Sequence, residues 1–93
     1  MADKTVFRKY KDGEVIALFP QIAGSCLSGW DCCSYQHIGQ HGAAVIAVVV
    51  QQTTLATPDE YAELLAELEQ IGYNPVAAKR CTYKDFEIRQ KRF

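Results

Sequence analysis

The sequence predicts an α+β fold: a four- to five-stranded, mixed or mainly antiparallel sheet, in the order β-β-β-β-α-β, with one helix packed on one face. Three observations carry that prediction. An Asp12-Gly13 turn is flanked by alternating segments, TVFRKYKDGEVIALF at residues 5–19. A continuous apolar, β-branched run, AAVIAVVV at 43–50, has the character of a strand covered on both sides. TPDEYAELLAELEQIG at 57–72 carries helix start and stop signals around a period near 3.6.

Taken in order, the first two strands form a hairpin. A two-residue turn at Asp12-Gly13 sets Lys11 opposite Glu14, Tyr10 opposite Val15 and Phe7 opposite Leu18. One face then carries Phe7, Ile16 and Leu18, and the other Val6, Tyr10, Val15 and Phe19; Pro20 closes the second strand. Residues 20–31 have no period and are rich in Gly and Ser, which reads as a loop. Cys32 to Ile38 reads as a third strand, Gly39 and Gly42 bracket a turn, and Ala43 to Val50 is the fourth strand. In the helix, Thr57 caps, Pro58 takes the first position and Glu60 completes a capping box. Tyr61, Leu64, Leu65, Leu68 and Ile71 form its apolar stripe, and Gly72 with Asn74-Pro75 ends it. Val76 to Tyr83 reads as a fifth strand. The charged tail from about residue 84 fits neither strand nor helix decisively. The whole of 1–93 is read as a single domain.

Apolar residues make up 48% and charged residues 23% of the 93, ordinary for a globular chain and unlike a disordered one. The N-terminal segment has no apolar signal core, and eight apolar residues are too few to span a bilayer. A cytoplasmic protein without a membrane partner is expected. Its four cysteines are then reduced thiols, and the adjacent Cys32 and Cys33 are poorly placed to pair with each other.

Cysteines and histidines crowd into SCLSGWDCCSYQHIGQHG at 25–42. Cys26, Cys32, Cys33, His37 and His41 could supply a formal Cys₂His₂ zinc set, but their spacings are not those of a zinc finger. In an extended strand His37 and His41 would stand about 13 Å apart. The spacing favours cysteines packed as small apolar side chains, so no cofactor is expected, with zinc as the alternative. Leu27 and Trp30, in a loop of small residues, are candidate anchors for a protein partner.

Charge is segregated along the chain. Every Lys and Arg lies in 1–11 or 79–92, while the middle carries only acids. On the helix, Asp59, Glu60, Glu63 and Glu67 lie opposite the apolar stripe, an acidic face able to steer a basic partner. The basic ends offer a rival: Arg8, Lys9, Lys11, Lys79, Arg80 and Lys84 would make one nucleic-acid patch if the first and last strands lay side by side, with Tyr10 and Tyr83 to stack on bases. A net charge of −1 and the lack of a recognition motif weigh against direct nucleic-acid binding.

VFRKYKDGEVIALFP at 6–20, CSYQHIGQHGAA at 33–44 and TPDEYAELLAELEQIGY at 57–73 together resemble a group of short uncharacterised proteins encoded by bacteriophages and bacterial mobile elements. SYQHIGQHG is the most specific run, and the chain departs from the group after Ala44. The resemblance implies a setting rather than an activity: an accessory protein that inhibits or redirects a host machine by binding it. The expected function is therefore a non-enzymatic, protein-binding inhibitor of a host nucleic-acid-handling defence system such as CRISPR. Its partner would be a host protein or nucleoprotein complex with a basic surface.

Overall fold

The structure, a computed structural model, describes residues 3–23, 32–36 and 40–92. Six strands are formed among them: β1 (Asp3–Tyr10), β2 (Val15–Ala23), β3 (Cys32–Gln36), β4 (Gln40–Ala44), β5 (Thr53–Leu55) and β6 (Pro75–Ala78). Three helices accompany them: α1 (Ile46–Gln52), α2 (Pro58–Gln70) and α3 (Tyr83–Arg92). The strands lie in the order β4-β3-β2-β1-β5, and β6 also pairs with β1. All pairings are antiparallel except β1 with β6. This is the expected α+β fold with a mixed, mainly antiparallel sheet. Its outer edge is divided: β5 pairs with Arg8–Tyr10 of β1, and β6 with Asp3–Val6.

The hairpin forms, but one residue out of the expected register. Val6 faces Leu18, Phe7 faces Ala17, Arg8 faces Ile16 and Lys9 faces Val15. Lys11, Asp12 and Gly13 make a three-residue connection: Tyr10 N donates to Glu14 O at 2.8 Å, and Gly13 N to Tyr10 O at 3.0 Å. Only Gly13 needs to supply the left-handed step, with φ +94°. Because side chains alternate with period two, that slip exchanges the cross-strand partners. Phe7 therefore shares a core with Ala17 and Phe19, and Val6 shares another with Ile16 and Leu18.

Pro20 does not close β2. The strand continues to Ala23, with a register irregularity between Phe19 and Ala23 where proline supplies no N–H to the ladder. The fourth strand is likewise displaced. It ends at Ala44, and the apolar run from Ile46 winds into α1. A short apolar run does not reveal its own period, and tertiary contacts decide it. Val49 is buried with Val6, Ile16 and Leu18, and Ile46 packs against the same cluster, while Val48 and Val50 face out.

Arg8 closes the end of α1. Its guanidinium donates to the carbonyls of Thr53 (2.8 Å) and Val50 (3.3 Å) and, through Nε, to Thr53 Oγ1 (2.9 Å). Thr53 Oγ1 in turn donates to Val49 O at 2.6 Å. α1 has no basic residue of its own in its last turn, so β1 provides the cation that a helix C-terminus favours.

α2 follows the sequence expectation closely. The Thr57–Glu60 capping box is present and Pro58 occupies the first turn. Leu64 and Leu68 are buried against Phe7, Phe19 and Tyr35, with Tyr61 and Leu65 at the margin. Ile71, expected on that stripe, is the C-cap and is exposed. Gly72 ends the helix at φ +108°, with Tyr73 N bonded to Leu68 O at 3.0 Å. Stacked rings lock the helix and its exit to the sheet, Phe7 on Tyr61 at 4.2 Å and Phe19 on Tyr73 at 4.8 Å between centroids.

β6 stops at Ala78, short of the expected Tyr83, and the tail is a helix. Thr82 and Asp85 cap α3 reciprocally: Thr82 N donates to Asp85 Oδ2 at 2.8 Å, and Asp85 N to Thr82 Oγ1 at 3.3 Å. α3 packs on β2, opposite α2, so the sheet is covered on both faces rather than one. Among the described residues, no helix is long and apolar enough to cross a membrane.

Candidate functional site

Two of the four helix carboxylates are engaged within the chain. Glu60 accepts from Thr57 N at 2.9 Å and from Lys9 Nζ, forming an ion pair. The hydrogen bond from Lys9, and then that from the Thr57 backbone, draw its pKa from 4.5 to about 2. Glu67 accepts the hydroxyl of Tyr35, whose ring is buried in the core. Asp59 and Glu63 remain exposed and form no ion pair among the described residues. The acidic face is thus narrower than the helical projection implies.

It gains residues from elsewhere. An open cleft of about 390 Å³ lies between α2 and the β1–β2 turn, and Asp12, Glu14, Glu60 and Glu63 all line it, with Val15 and Leu64 beneath. Lys9 is paired to Glu60, and Lys11 is exposed in the same turn. Asp12 Oδ1 accepts from Glu14 N at 3.0 Å, which holds the turn's acids at the mouth. The sequence reading missed Asp12 and Glu14 because their charge is sequence-local to the hairpin. Only the packing of α2 over β2 brings them beside Glu63.

The other candidates fare differently. Leu27, Trp30, Cys26 and His37 lie outside the described residues. Cys32 and Cys33 are successive residues of β3 and belong to opposite faces, Cys32 with Leu18 and Ala44, Cys33 with the α2 core. One tetrahedral ion cannot use both. His41 pairs in register with Tyr35 in β4. No group of three or more metal-binding side chains occurs among the described residues. Burial, with Cys81 adding to it, pushes the Cys32 thiol up to about 12, and burial also raises Cys33 and Cys81. These thiols are held protonated, the opposite of a primed nucleophile.

The six basic candidates do not form one patch, although β1 and β6 do lie side by side. Arg8 is tied to α1 on one face of the sheet, and Lys9 to α2 on the other. Lys11 stands at the hairpin turn. Lys79, Arg80 and Lys84 stay exposed around the β6–α3 corner, where Tyr83 is 74% exposed. A separate hollow of about 630 Å³ between α1 and β3–β4 is lined by Tyr10, Ser34, Gln36, Val45 and Val48 among others, with no charged residue among the described ones. Compared with protein-family models, with curated proteins and with solved structures, the chain gives no match.

Proposed function

We propose that the chain is a non-enzymatic binding module that docks on a basic surface of a host protein or nucleoprotein complex, through Asp59, Glu63 and the acidic cleft beside them. The observation that supports this reading most is the convergence of carboxylates from two elements, Asp12 and Glu14 with Glu60 and Glu63, on one open cleft. Lys9 is the cation bonded to that set. Such a surface steers a cationic partner by long-range attraction and selects against acidic ones. A target whose basic surface ordinarily holds nucleic acid suits it. The resemblance carried by SYQHIGQHG suggests the setting: a phage or mobile-element protein in a bacterial cytoplasm, inhibiting a defence system such as CRISPR.

The test is parallel capture from the bacterial host with the unaltered chain and with Asp59→Lys/Glu63→Lys. Both positions are exposed, so the variant keeps its fold, which circular dichroism checks. A partner held at low salt, released as salt rises, and bound at least about tenfold more weakly by the variant supports the proposal. Equal affinity of the two proteins for that partner overturns it. Glu67→Lys is unsuited to the purpose, because it removes the acceptor of the buried Tyr35 hydroxyl.

A further inference from the structure

We infer that the β6–α3 corner is a binding surface for single-stranded nucleic acid, a second and oppositely charged surface that the docking proposal does not require. Lys79, Arg80 and Lys84 are exposed there within six residues of chain, and Lys91 lies two helical turns beyond Lys84 on the same side of α3. None of the four forms an ion pair among the described residues. Asp85 is turned inward, where Lys4 (2.6 Å) and Gln21 (3.0 Å) bond it, leaving Glu87 as the exposed acid of α3. Glu87, three residues after Lys84 and four before Lys91, is exposed on the same side of α3 and offsets part of their charge, so Lys79 and Arg80 carry most of the excess. Arg89 is no part of the surface, since it is buried and donates to Pro20 O at 2.6 Å.

Charge alone would suit any polyanion. The aromatic groups narrow the choice. Tyr83 lies between Arg80 and Lys84 in the chain and is 74% exposed, its ring tilted against Phe86 with 5.8 Å between centroids. An exposed ring framed by cations is the arrangement on which an unpaired base stacks while its phosphates are neutralised. Lys79 also stands at a slot of about 230 Å³ walled by Phe7, Leu55, Tyr61 and Ala77, on the other flank of α2 from Glu60 and Glu63. This slot opens on the α2 face, where β5 and β6 divide the edge of β1, so a strand stacked on Tyr83 reaches it only by passing over that edge beside Lys79. Duplex DNA hides its base faces and could use neither ring nor slot. An acidic protein would use the lysines but has no need of them around a bare ring.

Fluorescence anisotropy of a labelled oligothymidylate titrated with the purified chain tests the inference. Binding is expected at low salt, with log affinity falling against log salt at a slope of about −2 to −3, as three or four phosphate contacts give on a single strand. Tyr83→Ala should weaken binding about tenfold and leave that slope unchanged, since stacking releases no counterions. Lys79→Glu/Arg80→Glu/Lys84→Glu should abolish it, while Lys11→Glu, at the far hairpin turn, should leave it intact. No binding, equal binding of a duplex of the same length, or full binding by the triple variant would each overturn the assignment. Because the purified chain is used alone, the result is independent of whether the acidic cleft captures a host protein.

Discussion

Asp85 shows how much one side chain can hold together. It is 3% exposed, yet it accepts from Lys4, Gln21 and the Thr82 backbone, linking β1, β2 and the start of α3. Asp85→Ala would leave the Lys4 ammonium without its counter-ion and the Thr82 N–H without its cap. The expected loss of stability is about 3 kcal/mol, measurable by urea or thermal unfolding. The pH dependence follows. Burial by itself raises the Asp85 pKa, but the hydrogen bonds from Lys4, Gln21 and Thr82 outweigh it, and the net value lies below the ordinary 3.8. A carboxyl that binds its proton more weakly folded than unfolded stabilises fully above that ordinary value. The contribution fades as pH falls through it towards the lower folded pKa. Acid unfolding of Asp85→Asn should therefore begin from a lower stability and fall less steeply below about pH 4 than that of the unaltered chain. An identical acid profile would show that Asp85 is not linked to folding. None of this could be read from the sequence, in which Lys4 and Asp85 are 81 residues apart. Glu60 is the contrast: its capping role was legible from Thr-x-x-Glu, while its ion pair with Lys9 was not.

Among the elements, legibility tracked how far each one's signals are local. α2 carries its own cap, stripe and stop, and it forms where those place it. α1 carries none: its N-cap makes no side-chain bond, and Arg8 of β1 closes its far end. A run of valines without period or caps takes whichever form its neighbours accept, and here a helix lets Val49 reach Val6 and Leu18. The hairpin lies between these cases. Asp12-Gly13 announced a turn correctly, but the same dipeptide serves two-residue and three-residue connections, and these differ by one residue of register. Gly13 is the hinge of that choice. At φ +94° a side chain is strained by the backbone itself, and a Cβ there would meet nothing within 4 Å. Gly13→Ala is thus expected to cost about 1 kcal/mol from backbone conformation alone. Gly13→Asn should cost less, because Asn tolerates the left-handed region better. Equal stability of all three proteins in thermal unfolding would mean that the turn relaxes into another type.

At the scale of the whole molecule, the segregation of charge was plain in the sequence, but its consequence was not. Folding engages Lys4, Arg8, Lys9 and Arg89 in internal bonds and leaves Lys11, Lys79, Arg80, Lys84 and Lys91 exposed. The basic ends are therefore structural as much as electrostatic, and the tail that the sequence left undecided closes the fold. α3 lies on β2, with Asp85 and Arg89 buried beneath it and Phe86 under the Arg89 guanidinium at 5.3 Å. Removing residues 83–93 would uncover the side of the sheet that carries Leu18 and Pro20. It would also leave Lys4 without its carboxylate and the Pro20 carbonyl without its donor. A chain this small keeps only a modest margin of stability, and the loss of one of its covering helices exceeds that margin. The truncated protein is expected to lose cooperative unfolding and to expose apolar surface, read as a flattened thermal transition and strong binding of a hydrophobic dye. If it instead unfolds cooperatively at a temperature near that of the full chain, α3 is an appendage. Lys84 and Lys91 would then be borne on a mobile tail rather than on a surface fixed by Asp85 and Arg89.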